Sequence, residues 1–148
     1  MDPATSSLLN HVLVREEHSL LQYLSDAWPW TDSAHADTPG RLSKMAAEER
    51  TAIRRLADWL LRRKVMPLRG QFPKDYCTLH FVAMDHLLPR LVASERQLLK
   101  ELERDAAKVD VEEASAILKQ MLESKRRHGA ELEQLAGQLN GKMVSTLR

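Results

Sequence analysis

The sequence predicts an all-α protein that folds as one antiparallel four-helix bundle over residues 1–148. Four segments repeat apolar residues at spacings of three and four, which is the pattern of an amphipathic helix. No segment alternates with the period of two that is typical of a half-buried strand. Segments rich in Pro, Gly, Asp and Ser separate the four. Amphipathic helices of this length bury their apolar faces by packing against one another.

The first two predicted helices cover about residues 6–26 and 41–64. The apolar stripe of the first is made of Leu9, Val12, Leu13, Leu20, Leu21 and Leu24. The stripe of the second is made of Leu42, Met45, Ala46, Ala52, Ile53, Leu56 and Leu60. The stretch AWPWTDSAHADTPG ends the first helix, and MPLRGQFPKD ends the second.

The third predicted helix covers about residues 75–108, with a kink or a restart near Pro89, because proline loses a helical hydrogen bond and clashes with the preceding turn. Its stripe is made of Met84, Leu87, Leu88, Leu91, Val92, Leu98, Leu99 and Leu102. The fourth covers about residues 110–140, beginning with a capping-box pattern at Asp110 and Glu113 and ending at Gly141. Its stripe is made of Ala114, Ile117, Leu118, Met121, Leu132, Leu135 and Leu139.

The charge and cysteine content exclude several classes of protein. Lys and Arg number 22 and Asp and Glu number 21, so the net charge of +1 gives no general attraction to nucleic acid or to an anionic membrane. Cys77 is the only cysteine, so no internal disulfide can form. No stretch approaches the ~20 apolar residues of a membrane span, and the N-terminus does not have the pattern of a secretory signal. We expect a soluble, cytoplasmic protein.

Each predicted stripe is interrupted near its middle by a titratable residue. Glu17, Glu49 and Glu95 lie on the first three stripes, and Lys125 and His128 lie on the fourth. Buried charges cost several kcal/mol each unless they are paired or bind a metal. The register is ambiguous by one position, so Glu16 or Glu48 could be the inward residue instead, and these could also be ordinary boundary residues of a bundle.

This arrangement resembles the ferritin-like superfamily, which includes bacterioferritins and rubrerythrins, over about residues 8–140. These proteins hold two iron or manganese ions with a Glu on each of two helices and a Glu-x-x-His motif on each of the other two. The resemblance matches Glu17, Glu49 and Glu95 to the glutamates of the first three helices. It matches His128 to the histidine of the fourth.

Two of the six ligands of that pattern are missing from this sequence. Ala52 occupies the position of the second-helix histidine, and Lys125 occupies the position of the fourth-helix glutamate. A cation in that position opposes metal binding, and its charge could replace that of the metal. The resemblance therefore implies a degenerate di-metal site in which Lys125 belongs to a buried polar network. We expect no cofactor, with iron or manganese as the alternative.

Three functions are compatible with these observations. We favour a ferritin-like protein that is not an enzyme and has a structural or binding role, with a homodimer formed through leftover apolar surface. The first alternative is a di-iron or single-metal protein for iron handling or oxygen and peroxide chemistry, using the metal-type residues Glu17, Glu49, Glu95 and His128. The second is a bundle that binds an acidic partner or nucleic acid through its basic helix over 54–64.

A possible partner surface is formed by Trp28 and Trp30 and by Arg54, Arg55, Arg62 and Arg63. The balanced charge and the lack of interleaved aromatic residues favour a solvated helix face over a nucleic-acid site for the arginines. The two tryptophans either close one end of the bundle, which we favour slightly, or mark an interface.

Overall fold

The computed structural model describes the backbone of residues 1–28 and 36–147 and the side chains of residues 1–28 and 36–138. Five α-helices are present in this part of the chain: α1 (Pro3–Glu17), α2 (Leu20–Leu24), α3 (Thr38–Arg62), α4 (Met84–Ala106) and α5 (Glu112–Leu147). A 3-10 helix, Lys74–Phe81, precedes α4. The described residues form no strand, so the predicted all-α class is confirmed.

The first predicted helix is divided into α1 and α2 by a break at His18 and Ser19. Asp2 caps α1, since its Oδ1 accepts a hydrogen bond from the backbone N–H of Thr5 at 2.7 Å. Ser19 has an extended backbone, and its Oγ accepts from the N–H of Gln22 at 3.1 Å. A serine in this conformation starts a new helix. The single helix predicted over 6–26 is therefore wrong at this point.

The third predicted helix begins later than the sequence pattern indicates. The 3-10 helix occupies most of its predicted first part, and α4 begins at Met84. Pro89 lies in the second turn of α4, which continues through it, so the helix neither splits nor restarts there. Pro89 lacks the N–H that would bond to the carbonyl of Asp85, but its side chain is exposed and leaves the packed face intact.

The fourth predicted helix starts two residues later and ends later than expected. Because α5 begins at Glu112, Asp110 does not cap it, and the helix continues past Gly141 to Leu147. The Glu113 carboxylate accepts from Trp59 Nε1 at 2.9 Å and from Arg63 Nη2 at 2.7 Å. These contacts bind α5 to α3 and replace the predicted capping box.

The core consists of two apolar clusters, one near each end of the bundle. The first cluster contains Leu20, Leu21, Leu24, Leu42, Met45, Ala46, Leu79, Met84, Leu87, Leu88, Leu91, Leu132 and Leu135. The second cluster contains Leu9, Val12, Leu13, Ile53, Leu56, Trp59, Leu60, Leu102, Val109, Ala114, Leu118, Met121 and Leu122. Along the chain, α1 and α5 run from the second cluster toward the first, whereas α3 and α4 run from the first to the second.

These directions determine the topology of the bundle. Helix α1 packs against α3 and α4, and α5 packs against the same two helices, so each of these packed pairs is antiparallel. Helices α3 and α4 run in the same direction, so the chain must travel the length of the bundle between them. Residues 63–83, which we call the crossover, make this connection. One long crossover distinguishes this bundle from the simple up-down-up-down type.

The crossover runs alongside α1 and is attached to it by specific contacts. The Asn10 side chain donates to the Met66 carbonyl at 3.3 Å and accepts from the Leu68 N–H at 3.0 Å. A Cβ atom on Gly70 would lie 2.6 Å from Cγ1 of Val14, so only glycine allows this approach.

None of the helices in the described part of the chain is both long and apolar enough to span a membrane.

Candidate polar centre of the bundle

A layer of polar side chains lies between the two apolar clusters. Each long helix contributes to it: Glu16 from α1, Glu49 from α3, Glu95 from α4, and Lys125 and His128 from α5. All five are buried, and none is more than 5% exposed. Each occupies a position where helical spacing from its apolar neighbours directs a side chain into the core. We call these five residues the polar centre.

Lys125 connects the four helices through its ammonium group. Its Nζ lies 2.7 Å from Oε2 of Glu16, 3.0 Å from Oε1 of Glu49 and 3.3 Å from Oε2 of Glu95. An ammonium group has three donors, and each can be directed at one of these carboxylates. Lys125 therefore makes an ion pair with each of the three other long helices.

His128 extends the polar centre toward the surface of α3. Its Nδ1 lies 2.7 Å from Oε2 of Glu49, and its Nε2 lies 2.8 Å from Oε2 of the partly exposed Glu48. Both ring nitrogens therefore face carboxylate oxygens, and both can donate only when the ring is protonated. Burial lowers the pKa of His128, but the bonds to Glu49 and Glu48 outweigh burial and raise that pKa above its ordinary value.

The pKa values of the three buried glutamates shift in different directions. Burial raises the pKa of Glu49, but Lys125 and His128 together outweigh burial and lower it to about 2. Burial and the neighbouring Glu49 carboxylate raise the pKa of Glu95 well above its ordinary value. Burial also raises the pKa of Glu16, against the opposing effect of Lys125.

The pKa of Lys125 itself rises well above its ordinary value, because the three carboxylates outweigh the effect of burial. The pKa shifts therefore favour the charged forms of Lys125 and Glu49 and oppose ionisation of Glu95. Among the described residues, no group donates a hydrogen bond to Oε1 of Glu16 or to Oε1 of Glu95.

The residues of the polar centre do not fit a di-metal site. The Lys125 ammonium occupies the point where the three carboxylates converge, and its positive charge would repel a divalent ion held there. Ala52 offers no ligand at the position of the missing histidine. Within residues 1–28 and 36–138, no group of three or more His, Cys, Asp and Glu side chains is arranged to hold a metal ion.

The structure brings together four of the five polar residues selected from the sequence. Lys125 contacts Glu49 and Glu95, and Glu49 contacts His128. The expected place of Glu17 beside Lys125 is occupied by Glu16. Glu17 is only partly buried. Glu16 continues the spacing of Val12 and Leu13, whereas Glu17 fits that of Leu20 and Leu21 only if the helix is unbroken. The break at Ser19 therefore explains why Glu16, and not Glu17, lies in the polar centre.

Two of the four arginines in the predicted partner surface, Arg55 and Arg63, contact other side chains of the protein. Arg63 binds Glu113 and stacks 4.0 Å above the Trp59 ring, and Arg55 bonds to Gln120. Arg54 and Arg62 are exposed on α3. Trp28 is half-buried against the first apolar cluster, with its Nε1 donating to Ser43 Oγ at 2.7 Å, while Trp30 lies outside the described residues.

One buried charge pair beside the polar centre was not predicted from the sequence. Arg15 Nη1 donates to Oδ2 of the buried Asp105 at 2.8 Å, and Arg15 Nε lies 3.2 Å from Glu101. These ion pairs join α1 to α4 near Glu16. The sequence does indicate that Asp105 faces the core, because it lies three residues after Leu102 and seven after Leu98, on the same helical face.

Comparison with known proteins identifies the fold. No protein-family model matches the chain, and no curated protein matches it in sequence. One similar solved structure is described as ferritin-like, diiron-carboxylate proteins from Bacillus anthracis str. Ames. It matches with a TM-score of 0.67 and 17% sequence identity, over 92% of this chain and 99% of that one. The four-helix bundle with its single crossover therefore has the ferritin-like fold.

Proposed function

We propose that this chain is a ferritin-like protein in which Lys125 replaces the metal ions, and that its role is structural or in binding rather than in oxidation. The observation that carries the proposal is the convergence of three carboxylates on Lys125 Nζ at 2.7, 3.0 and 3.3 Å. The Glu16, Glu49 and Glu95 side chains that could bind a metal already contact an ammonium group of the protein itself.

The tethered lysine is a strong competitor for those carboxylates. A metal ion could take its place only if Lys125 left the centre while still buried between helices, which would leave an ammonium group without a partner. Removing one partner from a buried ion pair costs about 3–5 kcal/mol. That cost, added to the repulsion between a metal ion and Lys125, supports a bundle that does not bind metal.

Metal titration of the full chain tests this proposal. Protein purified without chelator would be offered Fe(II) or Mn(II) anaerobically, followed by elemental analysis and measurement of the thermal midpoint. We expect no stoichiometric metal and an unchanged midpoint. Two metal ions per chain, or a midpoint that rises with added metal, would show that the centre is a metal site and that the proposal is wrong.

A variant makes the same experiment sharper. In Lys125→Glu the internal cation is lost, and a carboxylate is placed three residues before His128, as in the ferritin-like pattern. We expect this variant to be unstable alone and to gain helical circular dichroism or a higher thermal midpoint with Mn(II). Lys119→Glu, at an exposed position of the same helix, is the matched control and should show no such response.

The binding role has a separate test. The crossover exposes Met66 and Phe72, with 77% and 38% of their surfaces accessible, and Leu68 between them with 50%. Exposed apolar side chains of this kind mark interfaces when they are contiguous. We propose a homodimer that covers them, and sedimentation equilibrium of the wild type against Met66→Ser would detect its loss. A monomer at all concentrations would contradict it.

A further inference from the structure

A small cavity lies beside the polar centre, between α1, α3 and α5. It is lined by Glu16, Glu49, Ala52, Ile53, Met121, Ser124 and Lys125. The volume of the cavity is about 10 Å³, and one water molecule needs ~10–15 Å³. The cavity therefore has room for a guest of about one heavy atom.

The cavity exists because residue 52 is small. Ala52 contributes only a methyl group at a position where the ferritin-like pattern has a histidine. A small part of the space that an imidazole ring would occupy is left open next to Glu16 and Lys125.

One lining residue requires a hydrogen-bond donor that the described protein groups do not supply. Glu16 is 1% exposed, and its Oε2 is bound to Lys125, whereas its Oε1 accepts no hydrogen bond from any described residue. A buried acceptor without a partner destabilises the folded state. Buried water molecules commonly satisfy such groups, provided that several polar partners are in reach. Ser124 and Lys125 line the same cavity and provide further polar atoms.

The charge of the cavity wall restricts the guest further. The Lys125 ammonium disfavours a second cation, such as ammonium or a metal ion. The carboxylates of Glu16 and Glu49 disfavour an anion. A neutral hydrogen-bond donor meets both conditions.

Solvent reaches the outer side of this cavity. A surface groove of about 340 Å³ between α3 and α5 is lined by Glu48, Thr51, Ala52, Arg55, Gln120, Glu123, Ser124 and Arg127. The groove and the cavity share Ala52 and Ser124. These two small side chains therefore lie between the groove and the cavity.

We propose that the cavity beside Ala52 is a binding site for one neutral, water-sized hydrogen-bond donor that bonds to Oε1 of Glu16. The inference is independent of the proposed function, because it rests on the cavity and on the Glu16 oxygen. It makes Ala52 and Ser124 the entrance through which water reaches the polar centre.

Two isosteric substitutions test whether Glu16 needs a donor here. Thr and Val have nearly the same shape, but in Ala52→Thr a hydroxyl can donate to Glu16, whereas Ala52→Val fills the cavity with methyl groups alone. We expect the unfolding equilibrium constant in urea to be about tenfold larger for Ala52→Val than for Ala52→Thr. Ala57→Val and Ala57→Thr are the matched controls, because Ala57 is a half-buried alanine of α3 that does not line the cavity.

A crystal structure of the wild-type chain, at a resolution that shows ordered water, provides the direct measurement. We expect one water molecule within hydrogen-bond distance of Oε1 of Glu16. A cavity with no bound solvent would overturn the proposal. Equal stability of the two position-52 variants, or the same Val-to-Thr difference at position 57, would overturn it as well.

Discussion

Lys125 is the residue whose removal should affect this protein most. In Lys125→Met the apolar volume is retained, but Glu16, Glu49 and Glu95 lose their shared cation. Because buried carboxylates without a cation must either stay charged at high cost or take up protons, we expect a loss of about 3–5 kcal/mol in the free energy of unfolding. Urea denaturation at neutral pH measures it. Lys119→Met, on the exposed face of α5, should change stability by less than about 0.5 kcal/mol. Equal effects of the two substitutions would show that the Lys125 ion pairs contribute nothing.

His128 should make stability depend on pH as the pH rises above 6.5. Its folded-state pKa lies above the ordinary 6.5, because Glu49 and Glu48 bond to its two ring nitrogens and outweigh burial. Its contribution is therefore fully present below pH 6.5 and is lost as the pH rises through the raised folded value. We expect the free energy of unfolding to fall over this range in the wild type and to fall less in His128→Gln. His11→Gln, at an exposed histidine, should retain the wild-type slope, and a parallel slope in His128→Gln would contradict the prediction.

Most residues of the polar centre could be predicted from the sequence, because titratable residues seldom occupy the helical positions that face the core. Glu49, Glu95, Lys125 and His128 all lie where the apolar periodicity of their own helices places them. Glu16 could not be chosen over Glu17, because the choice depends on the break at Ser19. The His128–Glu48 bond could not be predicted either, since it depends on the rotation of α3 relative to α5.

At the scale of the elements, the four long amphipathic segments were predictable and their ends were not. Burial of a continuous apolar face identifies a helix over many residues, whereas a single local hydrogen bond can determine its end. The side chain of Glu113 could either cap α5 or contact α3. Its contacts with Trp59 and Arg63 are tertiary, so a local sequence pattern does not predict them. The path of the crossover along α1 could not be predicted either, because it depends on hydrogen bonds between Asn10 and residues more than fifty positions away.

The crossover packs so closely on α1 at Gly70 that a larger residue there should destabilise the protein. In Gly70→Ala the new methyl group would lie 2.6 Å from Cγ1 of Val14, so either α1 or the crossover must move. Overpacking of this kind costs about 1–3 kcal/mol, and we expect a loss of that size in the free energy of unfolding. Gly137→Ala is the matched control in α5, because a Cβ atom there meets nothing within 4 Å and alanine is the better helix former. It should stabilise the protein by about 0.5–1 kcal/mol. A gain in stability from Gly70→Ala would mean that the crossover does not pack as closely on α1 as described.

At the scale of the whole molecule, the polar centre divides the core into two apolar halves. All four long helices cross this layer, and each is fixed to Lys125 at one point along its length. Apolar side chains pack in several registers, but three ion pairs to one ammonium group are satisfied in a single register. The polar centre therefore favours one alignment of the four helices, at the cost of removing five titratable side chains from water.

That cost leads to the last prediction. If Glu16, Glu49 and Glu95 are replaced by leucine and Lys125 by methionine in one chain, the desolvation cost of the Lys125 ion pairs disappears. His128 loses Glu49 but keeps Glu48 as its partner. Replacement of a buried ion pair or triad by apolar residues of similar size is neutral or stabilises by about 1–4 kcal/mol. We therefore expect the fourfold variant to be at least as stable to urea as the wild type, although each single replacement destabilises. Such a result requires the four side chains to act as one unit, with large coupling energies between the substitutions. If the losses of the single variants simply add in the fourfold variant, the ion pairs at Lys125 stabilise the bundle independently of one another.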